Sequence, residues 1–293
     1  MNFRLLIDLS KAAVSGWKQD FAPSMGAALA YYTVFSIAPL LIIAIAIAAL
    51  AFGQQAAQHE ILAQARDLMG AEGAAVLESM LNNAQKPGEG ILAATLSVIT
   101  LIVGSIGVFN ELETDLNRIW KVDTTGRAGI MGFIRDRVLS FGMVIAIGFL
   151  LLISLVVNAA LAAGGRYWAE LFPGLEAILQ VANFMVSFAV ITAAFAIVYK
   201  FLPQTRIAWK DVWAGAAITA LLFTVGRFLI ALYIGKTSTS SSYGAAGALV
   251  VLLVWVYYSA QIFLLGAEFT KVYADRHGSL RGAEKKGPID AAA

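Results

Sequence analysis

The chain has 293 residues, of which 59% are hydrophobic and 14% are charged, and its formal net charge is +2. Soluble domains average about 45–50% apolar and about 25% charged residues, so a mean hydropathy of +0.76 excludes an ordinary water-soluble core. The small net charge provides no global basic field for nucleic acid. The absence of cysteine excludes disulfides and thiolate metal sites.

Six apolar segments are long enough to cross a bilayer, whose hydrocarbon core of about 30 Å needs roughly 20 helical residues. Continuous rather than alternating apolar runs favour helices over a barrel. The predicted spans are Ala27–Leu50, Ile91–Phe109, Leu139–Ala162, Val181–Phe201, Val212–Ile234 and Ala245–Ala267. The predicted fold is therefore an all-α, polytopic integral membrane protein with one six-helix domain over 1–275. A disordered cytoplasmic tail is predicted over 276–293.

Lysine and arginine alternate between the seven polar segments around these spans. Their counts run 3, 2, 5, 1, 3, 1 and 5 from the N-terminus, with Arg227 left inside the fifth span. Cytoplasmic segments of membrane proteins carry the excess of basic residues. The pattern therefore predicts that both termini are cytoplasmic, with 16 bases inside and 4 outside.

The segment before the first span has the spacing of an amphipathic helix. Leu5, Leu9 and Ala13 share one face, while Arg4 and Lys11 share another. We interpret it as a helix that lies along the inner leaflet. The alternative is a helix packed on the cytoplasmic loops of the protein.

The first outer loop, residues 51–90, contains two apolar stripes at helical spacing. One runs through Ile61 and Leu68, the other begins at Val76, and Gly70 and Gly73 separate them. We expect two short amphipathic helices that cap the outer face. The cap is either a solvated lid or a gate over a cavity.

The loop after the second span begins with further helical spacing. Leu116 and Ile119 predict that the second helix continues beyond the bilayer. Glu111 and Asp115 share a face of that helix, and such a carboxylate pair can bind a metal or perform acid–base chemistry. Because Arg118 follows closely, a surface ion-pair network is the favoured interpretation.

Several short phrases, distributed over residues 10 to 275, occur together in a known family. They are Ala27–Pro39, Leu116–Trp120, Tyr199–Pro203, Trp209–Ala216, Ser242–Ala245, Trp255–Tyr257 and Leu265–Glu268. In this order they resemble the YihY/BrkB family of bacterial inner-membrane proteins. The resemblance implies six transmembrane helices, the bacterial cytoplasmic membrane and a role in envelope integrity.

An old ribonuclease label is attached to that family, and the residues of this chain argue against it. Cleavage of a phosphodiester needs clustered carboxylates with divalent metal or a pair of histidines. His59 and His277 fall on opposite sides of the membrane in the predicted topology. We therefore expect no catalytic residue, no metal site, no cofactor and no nucleic-acid partner.

Polar residues within the spans are the candidate binding residues. Arg227 either snorkels to the outer headgroups or binds an anionic group such as a lipid phosphate. Together with Asn158 and Asn183 it forms a predicted intramembrane polar patch. The alternative is three separate helix–helix hydrogen bonds, each worth around 0.6 kcal/mol.

Four residues form a candidate kink or gate. Pro39 removes a backbone hydrogen bond and predicts a kink in the first span near Ser36. Tyr243 and Gly244 mark the start of the sixth span.

Charged residues at the inner ends of the spans are candidates for ion pairs. Lys200, Asp211 and Glu268 all fall at the inner boundary, where we expect Glu268 to pair with a base and close the cytoplasmic end. Gly215 and Thr219 are small enough to permit a close helix approach.

Three functions remain after these considerations. The first is a non-enzymatic envelope protein that moves or organises a lipid or another amphiphile, with membrane lipids and anionic lipid headgroups as partners. The second is a channel or secondary transporter for a small polar solute or ion. The third is a membrane scaffold without a transported substrate. Whether the chain forms a homo-oligomer stays open.

Overall fold

A computed structural model of the chain describes residues 3–84, 107–122, 175–236 and 245–281, with further helical positions at 142, 146, 148–150, 153 and 157. Within these residues the secondary structure is helix and connecting turn, without a strand. The described part of the chain is therefore all-α, as predicted. Most of the predicted second and third spans, and most of the predicted tail, lie outside the described residues.

Seven helices are described with continuous bounds. They are α1 (Phe3–Gln19), α2 (Ala22–Phe52), α3 (Gln54–Ala84), α4 (107–119), α5 (Leu175–Phe201), α6 (Trp209–Lys236) and α7 (Ala245–Arg276). Helices α2, α5, α6 and α7 contain the predicted first, fourth, fifth and sixth spans. Three of the described helices are long and apolar enough to cross a membrane, and α2 makes a fourth if its two halves count as one span.

Helix α2 is bent. Its segments Ala22–Ile37 and Leu40–Leu50 meet at an angle of 52°. The break between them includes position 39, where the sequence places a proline. Ser36, on the last turn before the break, is buried.

The largest apolar cluster lies at the end of the bundle where α1 packs, which we call the α1 end. It brings together the start of α2, the end of α4, the end of α5, the start of α6 and the second half of α7. Leu116, Tyr199, Ile207, Val212 and Leu264 are fully buried in it. The predicted six-span topology places these same helix ends together on one side of the membrane.

Helices α6 and α7 approach each other closely through small residues. A side chain added to Gly215 would overlap Thr270 Oγ1, and one added to Gly266 would overlap Thr219 Oγ1. The predicted role of Gly215 in close helix contact agrees with this packing. Backbones can approach this closely only where side chains are small.

Helix α3 consists of two helical stretches joined at Gly70, whose φ of 82° is left-handed. Two helices separated near Gly70 were predicted, but their position differs from the predicted cap. Ala57 and Leu81 pack with Ile45 and Ala48 of α2. Around the middle of the hairpin, buried residues of α2, α3 and α7 pack together in one apolar cluster. They are Ala30, Ala65, Met69, Ala74, Leu77, Leu252 and Val256.

The α3 hairpin therefore folds back along α2 into the bundle instead of covering its outer face. Val256 lies about 16 Å along the axis from the start of α7, by the rise of 1.5 Å per helical residue. The reason is the composition of the hairpin, because Ala, Met and Leu provide apolar surface on both stretches that α2 and α7 can bury.

Helix α1 also differs from its favoured interpretation. Its predicted apolar face is covered by protein, since Leu9 and Ala13 are buried against Phe269 of α7. On the other side of the helix, Ile7 and Val14 remain exposed. The face that was assigned to the inner leaflet thus fixes α1 to the bundle.

Candidate functional site

Buried hydroxyl groups join α5, α6 and α7 at the level of the large cluster. The Tyr199 hydroxyl donates to the carbonyl oxygen of Phe263 over 2.7 Å and lies 3.2 Å from Thr219 Oγ1. Thr219 in turn donates to the carbonyl oxygen of Gly215 over 2.8 Å. Both side chains have partners, so this arrangement holds three helices together and leaves no reactive group free.

The three residues predicted to form ion pairs at the inner boundary make separate contacts. Lys200 Nζ donates to the carbonyl oxygen of Ile207 and lies 5.6 Å from the centre of the Trp209 ring, a cation–π distance. Asp211 accepts hydrogen bonds from the backbone N–H and the hydroxyl of Ser279, at 2.9 and 2.6 Å.

The contact between Asp211 and Ser279 has a consequence for the predicted tail. Residues 277–281 form turns directly after α7, with the N–H of Leu280 bonded to the carbonyl oxygen of Ala274 at 3.1 Å. The described chain therefore includes the first residues of the predicted tail, and these turns pack on α6 through Asp211. Residues 282–293 lie outside the described part.

Glu268 is only 1% exposed and contacts an acid rather than the expected base. The carboxyl group of Asp20, which is 6% exposed in the turn between α1 and α2, lies close enough to interact with it. Lys121 forms an ion pair with Asp20. We call Asp20, Lys121 and Glu268 the carboxyl cluster; it joins the N-terminal turn, the segment after α4 and α7.

A polar cleft of about 610 Å³ lies near the end of α4. Gln204 bridges it, because its backbone N–H donates to Asn117 Oδ1 at 2.8 Å and its side-chain amide donates to Glu113 Oε1 at 2.5 Å. Arg118 and Thr114 also line it. Donors, acceptors and both signs of charge suit a small polar solute rather than an acyl chain.

Asp115 lies on α4 between residues of the cleft but is itself 3% exposed. Burial, and to a lesser degree the nearby Glu111 carboxylate, raises the pKa of Asp115 to about 7, although Arg118 acts in the opposite direction. This differs from the surface ion-pair network expected for Glu111, Asp115 and Arg118, because the middle residue is covered by the core.

The predicted patch of Arg227, Asn158 and Asn183 is only partly testable, since Asn158 lies outside the described residues. Helices α5 and α6 are antiparallel, with the rings of Phe195 and Phe223 5.7 Å apart. Continuing that alignment places Arg227 opposite Ile191. Asn183 is exposed and lies eight residues before Ile191 in α5, which places it about 12 Å along the helix axis from the level of Arg227.

Arg227 is partly buried on α6. Within the described part of the chain, no carboxylate lies at ion-pair distance from its guanidinium group. The preceding residue, Gly226, packs against Tyr258 of α7. Tyr258 is two residues from Val256, which packs in the cluster around the α3 hairpin, so Arg227 and that hairpin lie at a similar depth.

Of the candidate kink or gate, Ser36 and the bend after it are described, whereas Tyr243 and Gly244 lie outside the described residues. Asp20, Asn117 and Gln204 were not singled out from the sequence. The available signal for Asp20 is weak: it stands at the break between two helical patterns, where a carboxylate usually faces solvent.

Comparison with known proteins gives one family. The virulence factor BrkB model matches residues 13–290. A UPF0761 membrane protein of Verminephrobacter eiseniae is 31% identical over 192 residues, which are 64% of this chain and 43% of that protein. A UPF0761 membrane protein of Ralstonia nicotianae is 28% identical over 264 residues, or 88% of this chain and 57% of that protein.

A further UPF0761 membrane protein, from Glaesserella parasuis, is 25% identical over 217 residues, 73% of this chain and 71% of that protein. The chain spans about half the length of the first two relatives. No solved structure matches it.

Proposed function

Because this chain belongs to the virulence factor BrkB family, and its relatives are named membrane proteins, we propose that it moves or organises a lipid or another amphiphile in the bacterial inner membrane. It crosses that membrane six times, with both termini in the cytoplasm, and contributes to envelope integrity without catalysing a chemical reaction. Membrane lipids, including anionic headgroups, are its partners, and nucleic acid is not.

The observation that carries this proposal is the α3 hairpin folded into the bundle beside a bent α2. A scaffold needs only continuous, mutually packed helices. Backbone that leaves the helical path at membrane depth is tolerated where it is buried in protein or lines a cavity. Interrupted helices are typical of transporters, whose sites lie beside the breaks. The left-handed Gly70, with no other atom within 4 Å of an added Cβ, is such a break.

Arg227 supports an anionic substrate group. Placing an arginine at the centre of a bilayer costs roughly 2.5–3.5 kcal/mol on insertion scales. A cation retained at the depth of the α3 hairpin suits a lipid phosphate, whose negative charge matches it. The acyl chains of the same lipid suit the exposed apolar faces of α5 and α6, among them Phe184, Val225 and Phe228.

The polar cleft favours a second candidate function. Its lining of Asn117, Glu113 and Gln204 suits a small polar solute, as a channel or secondary transporter would require. The cleft and Arg227 lie at different depths, so variants of the two sites can be tested separately.

The test is reconstitution into liposomes that contain labelled lipids. We expect the native protein to equilibrate the label between leaflets and Arg227→Leu to fall to the rate of protein-free liposomes. Arg227→Lys keeps the charge and should retain part of the activity. Lys210→Leu removes an exposed cation from the same helix and should leave the rate unchanged.

If the native protein does not exceed protein-free liposomes, lipid movement is excluded, and uptake of a labelled polar solute by the same liposomes tests the second candidate. If Arg227→Leu matches an active native protein, Arg227 has no part in the movement and snorkelling explains its position.

A further inference from the structure

The two acids of the carboxyl cluster are buried in a part of the molecule that the proposed function does not use. Glu268 projects from α7 against the backbone of Gly16 in α1, where an added side chain would overlap its Oε2. Asp20 follows the end of α1 and is also buried. The contact therefore joins residues from the two ends of the chain, at the place where α1 packs on α7.

Asp20 and Glu268 are both buried beside Gly16, because Glu268 Oε2 abuts that glycine and the backbone N–H of Asp20 donates to its carbonyl oxygen over 2.8 Å. Two carboxyl groups close together in a buried place resist ionising together, because like charges repel strongly there, and one bound proton relieves that repulsion. Lys121 forms its ion pair with Asp20 and not with Glu268. Burial favours the neutral form of Glu268, which is only 1% exposed.

Charged groups around Glu268 come from three elements. Asp20 belongs to the turn before α2, Lys121 to the segment after α4, and Lys271 to α7 itself. Helix α6 presents Gly215 rather than a charge to the neighbouring turn of α7. Lys121 has a side chain that is 60% exposed, so water screens its attraction and it cannot neutralise a second buried carboxylate.

We propose that Asp20 and Glu268 form a proton-binding site that holds α1 against α7. With the proton bound, the two carboxyl groups attract each other. When the proton leaves Glu268 for water, two carboxylates face each other in a buried place and the contact becomes repulsive.

The cluster also has unused hydrogen-bonding groups that a second arrangement could employ. In the described part of the chain, Glu268 Oε1 and the indole N–H groups of Trp17 and Trp120 are buried without a partner. Trp17 follows Gly16, and Trp120 precedes Lys121. Movement of α1 would change the surroundings of all three groups at once. The position of α1 would then report the proton concentration at the α1 end, whatever the protein transports.

The first test compares thermal unfolding of the detergent-solubilised full chain from about pH 5 to about pH 9. Glu268→Gln keeps a neutral donor for Asp20, so it imitates the proton-bound state. We expect the native Tm to fall by several degrees relative to Glu268→Gln as the pH rises. Asp211→Asn, a change in a buried carboxylate outside the cluster, should keep the native slope.

The difference in Tm between the native chain and Glu268→Gln does not include the contribution of Asp115, because both proteins contain that residue. A difference that stays constant over the whole pH range would overturn the proposal. If Glu268→Gln fails to fold, infrared spectra of the native protein show directly whether a buried glutamic acid is protonated. For these spectra the protein is labelled with carbon-13 in the side-chain carboxyl group of glutamate. We expect the band of a neutral glutamic acid to disappear as the pH rises. Absence of that band at every pH would equally refute a proton on Glu268.

Discussion

Three buried acidic side chains at the α1 end are held in different ways. Asp211 accepts two hydrogen bonds from Ser279, and Asp20 has the ion pair with Lys121. Asp115 has an oxygen that is buried without a hydrogen-bond partner within the described part of the chain. Burial without a partner disfavours the charged form, which is the main reason for the raised pKa of Asp115.

Asp115→Asn should stabilise the protein at neutral pH. The pKa of Asp115 is about 7 in the folded chain, above the ordinary aspartic acid value of 3.8. The unfolded chain therefore loses this proton first, and the folded state loses stability as the pH rises from about 4 to 7, by up to about 1.4 kcal/mol per unit. We expect the variant to gain stability above pH 7 and no advantage near pH 4, measured by unfolding across pH.

The exposed Asp8 provides the matched control, because Asp8→Asn changes the same chemical group without burial. It should show no pH-dependent gain. An Asp115→Asn variant whose stability relative to the native chain is the same at every pH would contradict the raised pKa.

The helical spacing of Glu111, Asp115 and Arg118 was read correctly from the sequence, but the environment of Asp115 was not. Periodicity places residues on a face of a helix and does not state which other helix covers that face. Leu116 and Ile119 are fully buried, and their packing brings Asp115 into the core. The same limit applies to Glu268, whose neighbour Asp20 is distant in the chain.

At the level of helices, the amphipathic patterns predicted that a helix exists better than they predicted what it packs against. The apolar face of α1 exists as expected, yet α7 covers it rather than the membrane. The two helices around Gly70 also exist, yet they fold into the bundle. An apolar face requires burial, and both lipid and another helix satisfy that requirement, so the sequence alone leaves the choice open.

Close contact between α6 and α7 predicts a strong effect of Gly266→Ala. The added methyl group would overlap Thr219 Oγ1 and lie 2.6 Å from the Tyr199 hydroxyl. Overfilling a packed core costs typically about 1–3 kcal/mol. We expect a loss of that size in the free energy of unfolding, measured with denaturant in detergent.

Gly148→Ala is the control for this change. Gly148 is also helical, and nothing lies within 4 Å of an added Cβ. Alanine is the better helix former by up to about 1 kcal/mol, so this variant should be as stable as the native chain or more stable. Equal effects of the two substitutions would show that the contact with Thr219 and Tyr199 is unimportant.

For the whole molecule, the orientation of the spans can be tested directly because the chain has no cysteine. The positive-inside pattern predicts that Ser10→Cys and Arg281→Cys are cytoplasmic and that Gln55→Cys faces outward. All three positions are exposed. In intact cells, we expect an impermeant thiol reagent to label only Gln55→Cys, with the other two labelled after permeabilisation.

Labelling of Ser10→Cys or Arg281→Cys in intact cells would contradict the predicted orientation. Different accessibility of these two positions would in addition exclude an even number of spans between them. The cysteine-free native chain is the blank for every measurement.

The sequence by itself determined that this is a helical membrane protein, that at least three of its helices are apolar enough to span, and which family it belongs to. These properties are local, because apolar length and charge placement can be read without knowing any neighbour. Only the tertiary structure decided that the α3 hairpin lies within the bundle, that α1 packs on α7, and that Asp20 meets Glu268. Such pairings depend on the rotation and alignment of whole helices against one another, and the local pattern of residues along one helix does not reveal either.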